Sequence, residues 1–366
     1  MEKEASGHSN YTDNLSSMSN KSESTYAINK EAARSFIKRR GNPYSSEYYS
    51  TGILKGDRTI LAQAITLIES SRDEHLELAR HIIEQCLPFS GNSLRIGISG
   101  VPGVGKSTFI ESLGMKIAGA GRKPAVLTVD PSSERSGGSI LGDKTRMETL
   151  ANRENAFVRP SPSGNTLGGV TRHTREITVL CEAAGFDTIF IETVGVGQSE
   201  SAVHGMVDFF LLLMLAGAGD ELQGMKRGIM ERADALIINK ADGDHIRDAG
   251  IARNAYQNAL HLFPLPESGW EPRVLTCSSQ NHEGIDQVWE MILEYMHLTQ
   301  NNGYFTQNRR NQRKYWMHET IDQLLKEYFY QTDRVKKQLK IYENKVLEGK
   351  TSSYLAARDL LAFFHQ

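Results

Sequence analysis

Apolar residues along this chain follow different rhythms in different stretches, and the changes divide it. Residues 1 to about 45 are rich in Ser, Asn, Lys and Glu and carry no periodic apolar set. Such a composition cannot bury enough surface to fold, so a polar, disordered or loosely held N-terminus is expected over 1–45. From Arg58 to Cys86, Ile60, Leu61, Ala64, Ile65 and Ile68 recur at helical spacing, then Leu76, Leu78, Ala79, Ile82 and Ile83. The polar break Ser70 to Asp73 separates them, so two helices are predicted within a helical extension over 46–91. Between 92 and 300, short continuous apolar runs alternate with helical patterns: Leu94–Ser99, Ala125–Val129, Thr188–Glu192, Phe209–Leu215, Ala235–Ile238 and Val274–Thr276. Continuous runs suit strands covered on both faces, the condition of a mostly parallel sheet. Helices are predicted over 106–119, 171–184, 244–262 and 283–298. The tail, 301–366, shows no strand. Trp316, Ile321, Leu324, Leu325, Tyr328 and Phe329 form a stripe at helical spacing, either core or a dimer interface. Helices follow over 333–348 and 352–364, with Gly349 as a C-cap. The fold class is therefore α/β: a mostly parallel sheet flanked by helices, with an N-terminal helical extension and a C-terminal helical arm.

One strand-to-helix junction carries a complete G-x-x-x-x-G-K-[ST] motif: Gly100, Val101, Pro102, Gly103, Val104, Gly105, Lys106 and Ser107, followed by Thr108. Its glycines let successive N–H groups converge on phosphate oxygens, and the helix start adds positive potential. Lys106 is expected on the β- and γ-phosphates and the Ser107 hydroxyl on Mg²⁺. Asn239, Lys240 and Asp242 form N-K-x-D at the end of the run Ala235–Ile238. A carboxylate at Asp242 can accept from guanine N1–H and its 2-amino group. Adenine offers no such pair, and leaving a charged acceptor unmet costs about 1.5–3 kcal/mol. Asn239 can bond the base edge and the Lys240 stem can cover its face. Cys277, Ser278 and Ser279 follow the next run and stand where a backbone N–H would meet guanine O6. GTP and GDP are thus the expected nucleotides.

Asp130 ends the run Ala125–Val129, and Asp143 lies in Gly-Asp-Lys-Thr-Arg. With Ser107 and Glu192 they are the candidate oxygen ligands for Mg²⁺, with a solvated loop acid as the alternative for Asp143. Glu192-Thr-Val-Gly195 ends another run. Gly195 can bring its N–H to the γ-phosphate, and Glu192 could polarise the attacking water. Val196 follows Gly195, so a water-orienting Gln is absent there; Gln198 is the substitute candidate. Slow intrinsic hydrolysis, accelerated by a partner, is expected. The glycine-rich stretch 216–224, followed by Lys226 and Arg227, is either an extra switch or a long strand-to-helix connection.

Charge and composition narrow the partners. Apolar residues make up 39%, charged residues 23%, and the formal net charge is −2, so neither nucleic acid nor a membrane surface is favoured. Cys86, Cys181 and Cys277 are too far apart for a metal or disulfide framework and read as buried thiols. The longest apolar run, Phe209 to Ala216, is too short to span a bilayer, and no signal peptide is evident. A cytoplasmic location is expected. Arg309, Arg310, Arg313 and Lys314 read as a solvated helix face or a partner contact, and His173 and His204 as solvated or structural.

Longer strings carry a resemblance. Residues 129–133 (VDPSS), 136–147 (SGGSILGDKTRM), 166–170 (TLGGV), 192–200 (ETVGVGQSE) and 219–224 (GDELQG) resemble the MeaB/ArgK/MMAA GTPases of the SIMIBI class, from about residue 55 to the end. That resemblance implies a GTP-dependent chaperone of an adenosylcobalamin-dependent acyl-CoA mutase, chiefly methylmalonyl-CoA mutase, which gates cofactor loading and protects or rescues the mutase. It implies switches at 130–147, 192–204 and 216–231, with Arg146 and Lys226 near the γ-phosphate, and a C-terminal dimerisation arm giving a homodimer. Departures at Glu134-Arg135, Gly164-Asn165 and Ala216 bear on partner preference. Two other readings stand beside it: a metal-inserting GTPase, which would want Cys or His pairs, and a small-molecule kinase, which the N-K-x-D motif disfavours.

Overall fold

The structure, a computed structural model, describes residues 44–70, 72–129, 147–160, 167–193, 199–216 and 227–364. Ser46–Gln366 group as one unit; of the separate segment Met1–Ser45, only Tyr44 and Ser45 are described. Helices α1 (Ser46–Leu54), α2 (Arg58–Ile68) and α3 (Asp73–Cys86) come first. The Asp57 carboxylate caps α2, accepting from the N–H groups of Thr59 and Ile60 at 2.8 and 3.0 Å. Both periodic helices thus form where the spacing places them. The preceding α1 lacks a regular stripe and was not predicted.

Chain order then runs β1 (Leu94–Gly100), α4 (Lys106–Gly119), β2 (Pro124–Val129), α5 (Glu148–Ala151), β3 (Phe157–Arg159), α6 (Leu167–Ala183), β4 (Thr188–Thr193), α7 (Ser199–His204), β5 (Phe209–Leu215), α8 (Arg227–Met230), β6 (Ala235–Asn239), α9 (Ile246–Leu260), β7 (Arg273–Thr276) and α10 (Ile285–Asn301). The strands form one parallel sheet in the order β3-β2-β4-β1-β5-β6-β7. Every run read as a buried strand is one. β3 is the addition: three residues are too few for periodicity to detect. Helices on both faces bury Phe109, Phe190, Phe209 and Phe210. Because the strands are parallel, all their carboxyl ends lie at one edge. β1 sits between β4 and β5, so the phosphate loop opens between their ends, where open α/β sheets bind ligands.

The tail forms α11 (Tyr304–Gln331), α12 (Asp333–Leu347) and α13 (Ser353–Phe364). Here one expectation is corrected. Arg309 is not on a solvated face: it is buried and donates to Asp208 Oδ1 and Oδ2 (2.7 and 2.6 Å) and to the carbonyls of Gly91 and Ser93 (2.9 and 2.6 Å). Arg310, Arg313 and Lys314 are exposed as expected. The acceptors come from the starts of β1 and β5, about a hundred residues and more away, which no local pattern could reveal. One and two helical turns on, Gln312 Nε2 donates to Val207 O and Trp316 Nε1 to Gly205 O, each at 2.7 Å, so one face of α11 is latched to residues 205–208. The predicted stripe divides: Trp316 joins the core, while Ile321, Leu324, Leu325 and Tyr328 are exposed. No described helix is long and apolar enough to cross a membrane. Cys86, Cys181 and Cys277 are buried free thiols.

Candidate nucleotide site

The phosphate loop is shaped by what its glycines permit. Gly100 has φ of 154°, and a β-carbon there would stand 2.5 Å from Leu213 O in β5. Gly105, at φ of 90°, passes close to the Asn239 amide, where a β-carbon would come within 3.0 Å of Nδ2. Val101 and Val104 are buried and anchor the loop; Pro102, Gly103 and Thr108 are exposed. Lys106 begins α4 and curls back, its Nζ donating to Gly100 O at 2.8 Å and Val101 O at 3.3 Å. Burial lowers its pKa, against the opposing pull of the Glu192 and Glu200 carboxylates. A polyanion beside it would relieve that burial penalty.

Ser107 Oγ lies 3.3 Å from Glu192 Oε1, so the loop hydroxyl and the carboxylate ending β4 meet. Glu192 is buried, and the next residue, Thr193, donates from Oγ1 to Ser99 Oγ at 2.9 Å, joining the ends of β4 and β1. Sequence reasoning found Glu192 but missed Glu200, which is buried in α7 and acts electrostatically on Lys106. No motif marks a helix acid that reaches the site only through folding.

The base end is organised by Asn239. Its Nδ2 donates to Val104 O at 2.8 Å, while its Oδ1 accepts from Ser279 N (3.1 Å), Ser279 Oγ (2.7 Å) and Cys277 Sγ (3.4 Å). The side chain therefore ties the phosphate loop to loop 277–279, a role beyond the base contact expected of it; its second amide hydrogen remains for a base edge. The backbone N–H of Cys277 bonds Ile238 O and that of Ser279 bonds Asn239, so both have protein acceptors. Ser278 Oγ donates to Asp242 Oδ2 and orients the carboxylate. Lys240 is exposed, with φ of 58°. Behind the loop, His282 Nδ1 pairs with the buried Ser112 Oγ of α4 at 2.6 Å, a link that spacing did not suggest.

The remaining predicted residues, Asp130, Asp143, Arg146, Gly195, Gln198 and Lys226, lie outside the described residues. Their neighbours Val129, Thr193 and Arg227 are described. Val129 and Thr193 end β2 and β4 at the sheet edge that carries the phosphate loop.

A phosphate loop at the central strand, tied by Asn239 to loop 277–279, whose Ser278 orients the Asp242 carboxylate, is the layout of a guanine-nucleotide enzyme. Over residues 61–333 the chain matches the family described as methylmalonyl Co-A mutase-associated GTPase MeaB. This protein belongs to the MeaB family. It is a P-loop GTPase, and its relatives agree. It is 49% identical over 312 residues to a putative GTPase of Caulobacter vibrioides, covering 85% of this chain and 95% of that one. It is 48% identical to GTPase ArgK of Escherichia coli, over 76% of this chain and 85% of the relative. It is 45% identical to the mouse methylmalonic aciduria type A homolog, over 86% and 78%. A solved LAO/AO transport system kinase superposes with a TM-score of 0.71 at 36% identity, covering 89% of this chain and 99% of the other. The MeaB fold and the G-x-x-x-x-G-K-S and N-K-x-D motifs thus coincide in one molecule.

Proposed function

We propose that this MeaB-family GTPase serves an adenosylcobalamin-dependent acyl-CoA mutase, most simply methylmalonyl-CoA mutase, gating cofactor loading and protecting or reactivating the mutase. The observation that carries the proposal is the match over 61–333 to a family described as associated with that mutase; the mouse relative's name points the same way. The site supplies the physical part. GTP draws Lys106 Nζ from the carbonyls of Gly100 and Val101 onto phosphate oxygens. Asp242, oriented by Ser278, takes the guanine edge.

Mg²⁺ suits the oxygen donors present: the Ser107 hydroxyl and Glu192 carboxylate stand together at the start of α4, and a hard cation prefers such ligands. When bound, it neutralises charge across the phosphates. In this proposal Asp130 and Asp143 complete the donor set, and Glu192 or Gln198 orients the attacking water. Arg146, Lys226 and Gly195 respond to the γ-phosphate, so that segments 130–147, 192–204 and 216–231 change with the nucleotide and the mutase reads the change. A partner that completes charge stabilisation accelerates hydrolysis.

The test is GTP turnover with and without purified methylmalonyl-CoA mutase. Stimulation together with co-elution supports the proposal; unchanged turnover with this and other cobalamin-dependent acyl-CoA mutases removes it. The exposed half of the α11 stripe, together with the apolar faces of α12 and α13, is proposed as the contact of a homodimer.

A further inference from the structure

The edge of the sheet opposite the phosphate loop holds a second cleft, of about 680 Å³, between the turn after α3, helix α6 and helix α11. It lies where β1 begins, at Gly91 and Arg95, and where the chain enters β5, at Met206. Among the described residues, four arginines line it, Arg95, Arg175, Arg309 and Arg313, and no Asp or Glu does. Two of these charges are already matched. Arg95 is held by Glu182 through Nε and Nη2 at 2.8 and 2.9 Å, and Arg309 by Asp208 and two carbonyls.

Arg175 and Arg313 differ. Neither forms an ion pair among the described residues. Arg175 Nε is buried with no hydrogen-bond partner there, and its guanidinium stacks 4.2 Å from the centre of the Trp316 ring. That ring is fixed in turn by its bond to Gly205 O. Arg313 reaches over Gly91, where a β-carbon would stand 3.8 Å from Nη2. A planar donor with a buried, unmatched N–H suits the fork geometry of a carboxylate or phosphate. Burial pushes the Arg175 guanidinium down to about 10, with the Arg172 charge adding to the fall and the Glu176 and Glu319 carboxylates opposing it, and a bound anion would act in the same direction as those carboxylates. Between the charges, Val179, Met206 and Trp316 form an apolar wall that an inorganic ion would leave wet. The volume falls in the range of small-ligand sites, about 300–1,000 Å³.

We propose that this cleft binds a small organic anion, a phosphate monoester or carboxylate bearing a flat or apolar group. Arg175 and Arg313 hold the anionic head, and the body lies along Val179, Met206 and Trp316. Because α11 also holds the carbonyls of Gly205 and Val207, an occupied cleft braces this helix against the segment that links α7 to β5.

The test uses the full chain with its nucleotide site saturated by GDP, and phenyl phosphate as probe, followed by saturation-transfer NMR, with inorganic phosphate read by its competition against the probe. Phenyl phosphate is expected to bind more tightly than phenol or inorganic phosphate. Arg175→Gln and Arg313→Gln should each weaken it at least about 10-fold, the effect of losing one charged hydrogen bond, with GDP affinity unchanged. Arg313 is exposed, so its variant reports even if Arg175→Gln folds poorly. Absence of binding to the parent protein overturns the proposal, as does binding unaffected by both substitutions. An Asp/Glu-rich peptide that binds through Arg175 where phenyl phosphate does not would also overturn it, assigning the cleft to a protein partner.

Discussion

Lys106 is held by two carbonyl oxygens of its own loop, and burial lowers its pKa. Replacing it with Ala leaves the phosphates without their ammonium. GTP affinity, read by titration with a fluorescent analogue, should fall at least about 10- to 100-fold, the range of one charged hydrogen bond; unchanged affinity would refute its assignment to the phosphates. At the opposite edge, Asp234 accepts from Phe210 N at 2.8 Å just before β6. Burial pushes its carboxyl up to about 7, with the Phe210 bond opposing and the Asp208 charge adding to the rise. A carboxyl whose folded pKa exceeds its unfolded value destabilises the fold when ionised. Stability should therefore fall as pH rises between about 4 and 7, then level off. Asp234→Asn cannot ionise and can still accept from Phe210. Its advantage over the parent in urea midpoint should be larger at pH 8 than at pH 5. Equal advantages at both pH values would show that Asp234 is not the titrating group. Lys106 and Asp242 were legible as residues because their motifs are contiguous. Asp234 was not, because its meaning depends on neighbours from other strands.

Among the elements, the strands were the most legible. Runs such as Phe209–Leu215 stay apolar because helices cover both sheet faces, and a continuous run needs no partner to be recognised. Helix α11 was legible as a helix but not in its packing. Its latch consists of Arg309, Gln312 and Trp316, three residues of different chemistry that share a face only through helical geometry. Arg309→Met removes the ion-pair partner of buried Asp208, which keeps the Arg95 N–H as a donor, and the donor to two carbonyls. Leaving one member of a buried ion pair alone costs about 3–5 kcal/mol. The variant should lose stability of that order in urea unfolding; a loss below about 1 kcal/mol would mean that the latch is dispensable.

For the whole molecule, the arm poses the open test. Leu324 and Tyr328 are 48% and 68% exposed on α11, more than a buried stripe allows. If they form the proposed dimer contact, Leu324→Glu with Tyr328→Glu should halve the mass seen by sedimentation equilibrium while leaving GTP affinity unchanged. A parent protein that sediments as a monomer, or a double variant that remains dimeric, would disprove the contact.

The sequence by itself determined the chemistry that is contiguous in the chain: the phosphate loop, the N-K-x-D base motif, the buried strands and the helical tail. These depend on local spacing and periodicity, which a linear string preserves. Only the tertiary structure decided how those pieces meet. Asn239 became the tie between the phosphate loop and loop 277–279, Arg309 a buried anchor, Arg175 a stacked and unmatched donor, and Glu200 a neighbour of Lys106. Each of these roles arises from a parallel sheet that brings distant strand ends to common edges, and from burial, which makes one charge costly until another meets it.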